Sequence, residues 1–190
     1  HQKVSVLLGI AHPGFGFWID MGGGKTLVAL TLLRYWWDVG ALRRALIFVT
    51  SDKAFLTWEK QIRRFGVGIP YMALEGSSEQ KWRALNEFGE GLVLLTRPGA
   101  VAMVSDKVVV RQKGKKPRPH LRLTDKKVAA LARWAGGVVW DESTREGNQG
   151  SLQWKLADRL RRHAHCRYAL AGRPFGRDPT MLFPQYKLID

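Results

Sequence analysis

The run Ala45-Leu46-Ile47-Phe48-Val49-Thr50 carries no polar residue before its last position. A strand reading this way is buried on both faces, which requires a sheet covered by helices on both sides. Further runs support a strand over 15–19, another over 91–96 that Pro98-Gly99 breaks, and others over 138–140 and 166–171. Between them lie stretches of helical periodicity: 26–37, stopped by Asp38-Val39-Gly40; a segment running to Phe65 with Ser51 or Asp52 as its cap; 79–88; 125–135; and 151–163. Gln2 to Leu8 is helix-like as well. Strands alternating with helices specify an α/β domain with a mainly parallel sheet and helices on both faces. Five strands are expected, in one domain over 1–190, since 190 residues with 45% hydrophobic content can bury one core.

Two of these strands end in chemistry. After the first comes Ile19-Asp20-Met21-Gly22-Gly23-Gly24-Lys25-Thr26, leading into a helix. Glycines at 22, 23 and 24 let backbone N–H groups turn inward on phosphates. Lys25 would neutralise the β and γ phosphates and the Thr26 hydroxyl would hold Mg²⁺, with the helix adding its positive end. Ile19 stands where the general phosphate-loop pattern has its first glycine, so a plain glycine turn is the competing reading. The strand Val138-Val139-Trp140 delivers Asp141-Glu142 at its carboxyl end, where open α/β sheets bind ligands. Asp141 would hold Mg²⁺ through a water and Glu142 would orient and deprotonate an attacking water. Otherwise the acids cap the following turn.

Charge points to a polyanionic partner: 31 Lys and Arg against 16 Asp and Glu give a formal net charge of +15. Nucleic acid fits best, because no apolar stretch approaches the ~20 residues a membrane span needs. Part of the surplus lies in 105–124, where Val108-Val109-Val110 and His120-Leu121-Arg122-Leu123 flank a Lys/Arg/Pro run beginning at Arg111, expected as a basic hairpin or loop insertion that grips a duplex or is simply solvated. One cysteine, Cys166, excludes an internal disulfide and fits an intracellular setting. His163, His165 and Cys166 lack a second ligand pair, so zinc is not expected. Of the eight tryptophans, Trp36, Trp37, Trp58, Trp134 and Trp154 fall on predicted helices at packing positions.

Taken together, these motifs resemble the Swi/Snf-type DNA translocases of helicase superfamily 2, particularly the compact versions carried by bacteriophages. Residues 20–26 look like motif I; 46–65, with Trp58-Glu59, Gln61-Ile62 and Phe65, like motif Ia; 94–97 like motif Ib; 141–144 like motif II; and 170–175 like motif III with the segment after it. Gln2 is placed similarly to the adenine-reading glutamine. The resemblance covers nearly the whole chain. It implies the first of two RecA-like lobes, with ATP and Mg²⁺ in the cleft and DNA, double-stranded, crossing both. Thr50, Ser51, Lys53, Thr96 and Arg97 would then contact DNA phosphates, although Ser and Thr at strand ends also cap helices. The second lobe, with its arginine finger, is missing from this sequence, which begins at His1 and reads as a piece of something longer.

The chain departs from the family at the coupling positions. Thr144 stands where His is usual, and Ala171 and Arg173 where Ser or Thr is usual. Those residues link the γ-phosphate to DNA in the family, so Thr144, Gly172 and Arg173 are the coupling candidates here. The function implied is a DNA-dependent ATPase lobe that moves on DNA. A non-catalytic nucleic-acid-binding or scaffold module is the alternative. A phosphate-loop kinase or ring ATPase is a third possibility, for which the Trp58-Glu59 segment has no place.

Overall fold

The computed structural model describes the chain apart from residues 66, 111–117, 147 and 174–178. Its strands are β1 (Gly14–Trp18), β2 (Arg44–Val49), β3 (Tyr71–Ala73), β4 (Gly91–Thr96), β5 (Ser105–Val110), β6 (Arg118–Leu123), β7 (Gly137–Trp140) and β8 (Cys166–Ala171). Its helices are α1 (Gln2–Ala11), α2 (Lys25–Asp38), α3 (Asp52–Arg64), α4 (Ser78–Phe88), α5 (Arg97–Val104), α6 (Asp125–Trp134), α7 (Leu152–Arg161) and α8 (Leu182–Ile189). Six strands form one sheet in the order β1-β8-β7-β2-β4-β3, with every neighbouring pair parallel. β5 and β6 form a separate antiparallel pair.

Side chains alternate across the pleat, and on β2 both sets are buried. Leu46 and Phe48 enter one core with Val101, Leu131, Leu156 and Leu188 from α5, α6, α7 and α8. Ala45, Ile47 and Val49 enter the other, with Leu32 of α2 and Phe55 and Ile62 of α3, and with Val6 and Ile10 of α1 packed against it. Full burial of each large aliphatic side chain contributes about 1.5–3 kcal/mol. The unbroken apolar run is thus the signature of a strand between two helical layers.

Three elements were not expected. β3 is a three-residue edge strand behind Pro70, paired on one side with β4, and too short to show a period. β4 ends before Pro98-Gly99 as expected, yet that pair lies not in a loop but inside a helix, α5. Thr96 caps it by accepting a hydrogen bond from the Gly99 N–H at 3.2 Å, and Pro98 sits in the first turn, where a missing N–H costs nothing. α8 packs on the first core through Leu188. The pair β5–β6 flanks the basic segment, whose run 111–117 lies outside the described residues.

Trp58, Trp134 and Trp154 are buried, as packing positions demand. Trp36 donates its Nε1–H to the Tyr168 hydroxyl at 2.6 Å, and that hydroxyl donates to the Gly9 carbonyl at 2.9 Å, tying α2, β8 and α1 together. Among the described residues no helix is long and apolar enough to cross a membrane, and no group of three or more His, Cys, Asp or Glu could hold a metal ion.

Burial pushes the Cys166 thiol up from 9.0 to about 12, and the Tyr168 phenol is raised from 10.0 by burial too. Both groups favour the neutral form in the fold, so the unfolded chain loses these protons first as pH rises. Their contribution is complete below pH 9 and drains away toward pH 12, at about 1.4 kcal/mol per pH unit per titrating group. The urea midpoint is therefore expected to fall between pH 8 and pH 10.5, and Cys166→Ala should shallow that fall; an unchanged midpoint would contradict the burial of both groups.

Candidate active site

β1 is prolonged at the carboxyl edge by one more ladder bond, from the Ile19 N–H to the Ala171 carbonyl at 3.1 Å. The chain then turns back: the Gly23 N–H donates to the Asp20 carbonyl at 3.0 Å, and Gly22 and Gly24 take φ values of +81° and +91°. Those values disfavour any residue with a Cβ. Contact adds a second demand, since a Cβ on Gly23 would lie 2.4 Å from Ile19 Cγ2 and one on Gly24 2.2 Å from Gln2 Nε2, whereas Gly22 faces open space. Lys25 folds over its own loop, donating through Nζ to the carbonyls of Ile19 at 2.8 Å and Asp20 at 3.3 Å. Gln2 is seated on the same loop through an Nε2–H bond to the Gly23 carbonyl at 3.2 Å. Thr26 is half-buried in the first turn of α2.

The acids lie at the end of β7. The Asp141 N–H donates to the Phe48 carbonyl at 2.9 Å, continuing the ladder with β2. Its carboxylate Oδ2 accepts the Trp58 Nε1–H at 2.9 Å. Glu142 has φ +51°, the one positive value among described residues other than glycine, a conformation that costs about 1–3 kcal/mol and persists only where neighbours enforce it. The Arg97 guanidinium supplies part of that enforcement, donating through Nη2 to the carbonyls of both Asp141 and Glu142. Next in line, the Ser143 hydroxyl donates to Gln185 Oε1 of α8 at 2.9 Å, and both residues are fully buried. Thr144 is half-buried within the short helical turn Ser143–Glu146.

The strand order brings these groups together. β8 separates β1 from β7, so the strand ends that lead into the glycine loop and the acids stand two strand spacings apart, about 10 Å. Gly172, just past β8, bridges the gap: a Cβ there would lie 4.0 Å from Lys25 Nζ and 3.9 Å from Met21 Cγ. Arg173 is exposed beside it, while residues 174 and 175, the end of the stretch resembling motif III and the segment after it, lie outside the described residues. Lys25, Gly172, Asp141 and Glu142 therefore share one edge. The Thr26 hydroxyl and the Asp141 carboxylate would offer a cation oxygen donors, which suit Mg²⁺. Among the described residues Asp141 Oδ1 has no hydrogen-bond donor, so it could meet a metal-bound water.

Farther along the same edge, the expected nucleic-acid residues divide. Thr50 is half-buried and Lys53 exposed, and Ser51, at the N-cap of α3, is exposed and makes no side-chain bond to the helix. Thr96 spends its oxygen on capping α5. Arg97 departs from expectation. It is only 4% exposed and turned inward from the first turn of α5 onto the carbonyls of Asp141 and Glu142 at the end of β7. Nothing local in the sequence pairs Trp58 with Asp141 or marks Gln185; each meets its partner across dozens of residues of chain, a pairing that only the sheet order creates.

No protein-family model matches the sequence, and no curated protein matches it either. Solved structures do. The Sulfolobus solfataricus SWI2/SNF2 ATPase core in complex with dsDNA superposes with a TM-score of 0.72 at 16% identity, over 100% of this chain and 34% of that one. The chain has a RecA-like fold. The Pyrococcus furiosus Hef helicase domain gives a TM-score of 0.69 at 16% identity, over 99% of the lobe and 35% of that chain. The lobe thus spans about a third of the length of the structures it matches.

Gly22→Ala and Gly24→Ala separate the two demands on the loop. Both incur the positive-φ cost of about 1–2 kcal/mol, but only Gly24→Ala must also displace Gln2. Urea unfolding should show both variants destabilised, with Gly24→Ala the more so; equal or negligible losses would mean that the loop conformation differs from this one.

Proposed function

We propose that this lobe is the ATP-binding half of a DNA-dependent ATPase that couples hydrolysis to movement along DNA. The observation that carries the reading is the convergence of Lys25, Gly172, Asp141 and Glu142 on one sheet edge. Each has a task. Lys25 exchanges the carbonyls of Ile19 and Asp20 for the β and γ phosphates, while the N–H groups at Gly22, Gly23 and Gly24 cradle the chain of phosphates. Gln2, anchored on the loop, reads the adenine. Thr26 and Asp141 hold Mg²⁺, whose role is to offset phosphate charge. Glu142 orients a water in line with the γ-phosphorus and takes its proton as the new P–O bond forms and the bond to ADP breaks. Thr144, Gly172 and Arg173 would sense the state of the γ-phosphate, and Gly172 lies beside Lys25 Nζ.

DNA fits the +15 charge and the exposed residues of the same edge. Thr50, Ser51, Lys53 and the Thr96 segment form a track for phosphates, and duplex is the favoured form because one structural neighbour was solved on dsDNA. The paired strands β5 and β6 add exposed Lys107, His120 and Arg122 as a further basic surface. A second RecA-like lobe would close over the site and contribute a cation to the transition state. Work on ATP and DNA sets the protein inside a cell.

The test is ATP hydrolysis by the full-length parent with and without duplex DNA. Turnover is expected to rise with DNA, to vanish in Lys25→Ala with loss of nucleotide binding, and to fall about 10²–10⁴-fold in Glu142→Gln with nucleotide binding kept. A folded parent that binds DNA but never turns over ATP is instead a nucleic-acid-binding module. Duplex affinity should fall steeply with salt, and Lys53→Ala should lower the slope of log K against log salt by about 0.9; an unchanged slope would remove Lys53 from the track.

A further inference from the structure

Two buried side chains reach the acid pair from the two segments that begin at the proposed DNA track. α3 starts at Asp52, directly after Ser51, and its Trp58, 1% exposed and about 9 Å along the helix, returns to Asp141 Oδ2. α5 starts at Arg97, directly after Thr96, and Arg97 donates to the Asp141 and Glu142 carbonyls. One arm holds the metal-site carboxylate. The other holds the backbone of the proposed general base in its positive-φ conformation.

We propose that Trp58 and Arg97 are positioning residues that transmit DNA occupancy at the starts of α3 and α5 to the Asp141–Glu142 pair. This rests on the reading of the site as a DNA-dependent ATPase.

Neither contact is a general packing device. An indole N–H buried beside a carboxylate fixes one of its oxygens and leaves the other for a metal-bound water, so a small displacement of α3 redirects the carboxylate as a whole. A guanidinium spanning two successive carbonyls constrains the dihedral angles between them, so a small displacement of α5 relaxes or tightens Glu142. Close packing makes such displacements discrete. On the β8 side, Ala171 has no side-chain polar atom and Arg173 is exposed, so the two arms are the buried side-chain links from the track to the acids among the described residues.

The coupling is measured as the ratio of affinities for the Mg²⁺ complex of a non-hydrolysable ATP analogue, with and without duplex, in the full-length protein. A ratio of about 5–150 is expected in the parent, with the duplex gaining affinity from the analogue by the same factor. Trp58→Phe and Arg97→Lys should bring the ratio toward one while duplex affinity without nucleotide is kept. Phe leaves a void, so 3-benzothienylalanine at position 58, which deletes the N–H and keeps the shape, is the companion variant; it should match Trp58→Phe in ratio and the parent in thermal midpoint. Parent-like ratios in folded variants would overturn this proposal and leave the ATPase reading standing. A parent whose ratio is one would overturn this proposal alone, and a parent that binds no Mg²⁺-analogue would overturn both.

Discussion

All six strands of the central sheet run the same way, so all deliver their carboxyl ends to one edge, and everything chemical in this lobe is there because of it. A parallel sheet is buried on both faces and its interior accepts no polar side chain without a partner. The groups that can meet a ligand are those just past the strand ends: the glycine loop after β1, Thr50 and Ser51 after β2, Asp141 and Glu142 after β7, Gly172 after β8. Strand order then decides which become neighbours. Placing β8 between β1 and β7 leaves the ends of those two strands about 10 Å apart, with Gly172, which lacks a side chain, just past the strand between them.

That edge carries its own costs. A glycine loop with two positive φ angles, a glutamate in a left-handed conformation and a buried arginine are each unfavourable alone. They are offset locally. Lys25 satisfies two carbonyls of the loop, Gln2 a third, Arg97 two at the acids, and the fully buried Ser143 and Gln185 satisfy one another. The apolar layers beneath supply the stability that permits it. Leu46, Ile47 and Val139, all fully buried, hold the strand ends in register while the ends themselves stay polar.

Local signals were strong where the chemistry is local. The loop 22–26 and the acids 141–142 each occupy consecutive residues, and continuous apolar runs announced five of the six strands of the main sheet. β3 escaped because three residues at an edge need no two-sided burial, and α5 because Pro98-Gly99 reads as a breaker unless Thr96 is recognised as a cap. Arg97 was misplaced for a similar reason: following Thr96 at a strand end, it reads as a surface cation, and only the direction of the first turn of α5 sends it inward.

The sequence by itself determined the alternation of strand and helix, the two-sided burial, the phosphate-loop and acid motifs and the basic character, since all of these are written in residues near one another along the chain. Tertiary structure alone decided that Trp58 meets Asp141, that Arg97 holds Asp141 and Glu142, that Ser143 meets Gln185, and that Gly172 lies against Lys25. The physical reason is the parallel sheet. Its strand order is set by how helices pack on both faces, so contacts across its edge join residues that no local pattern can pair.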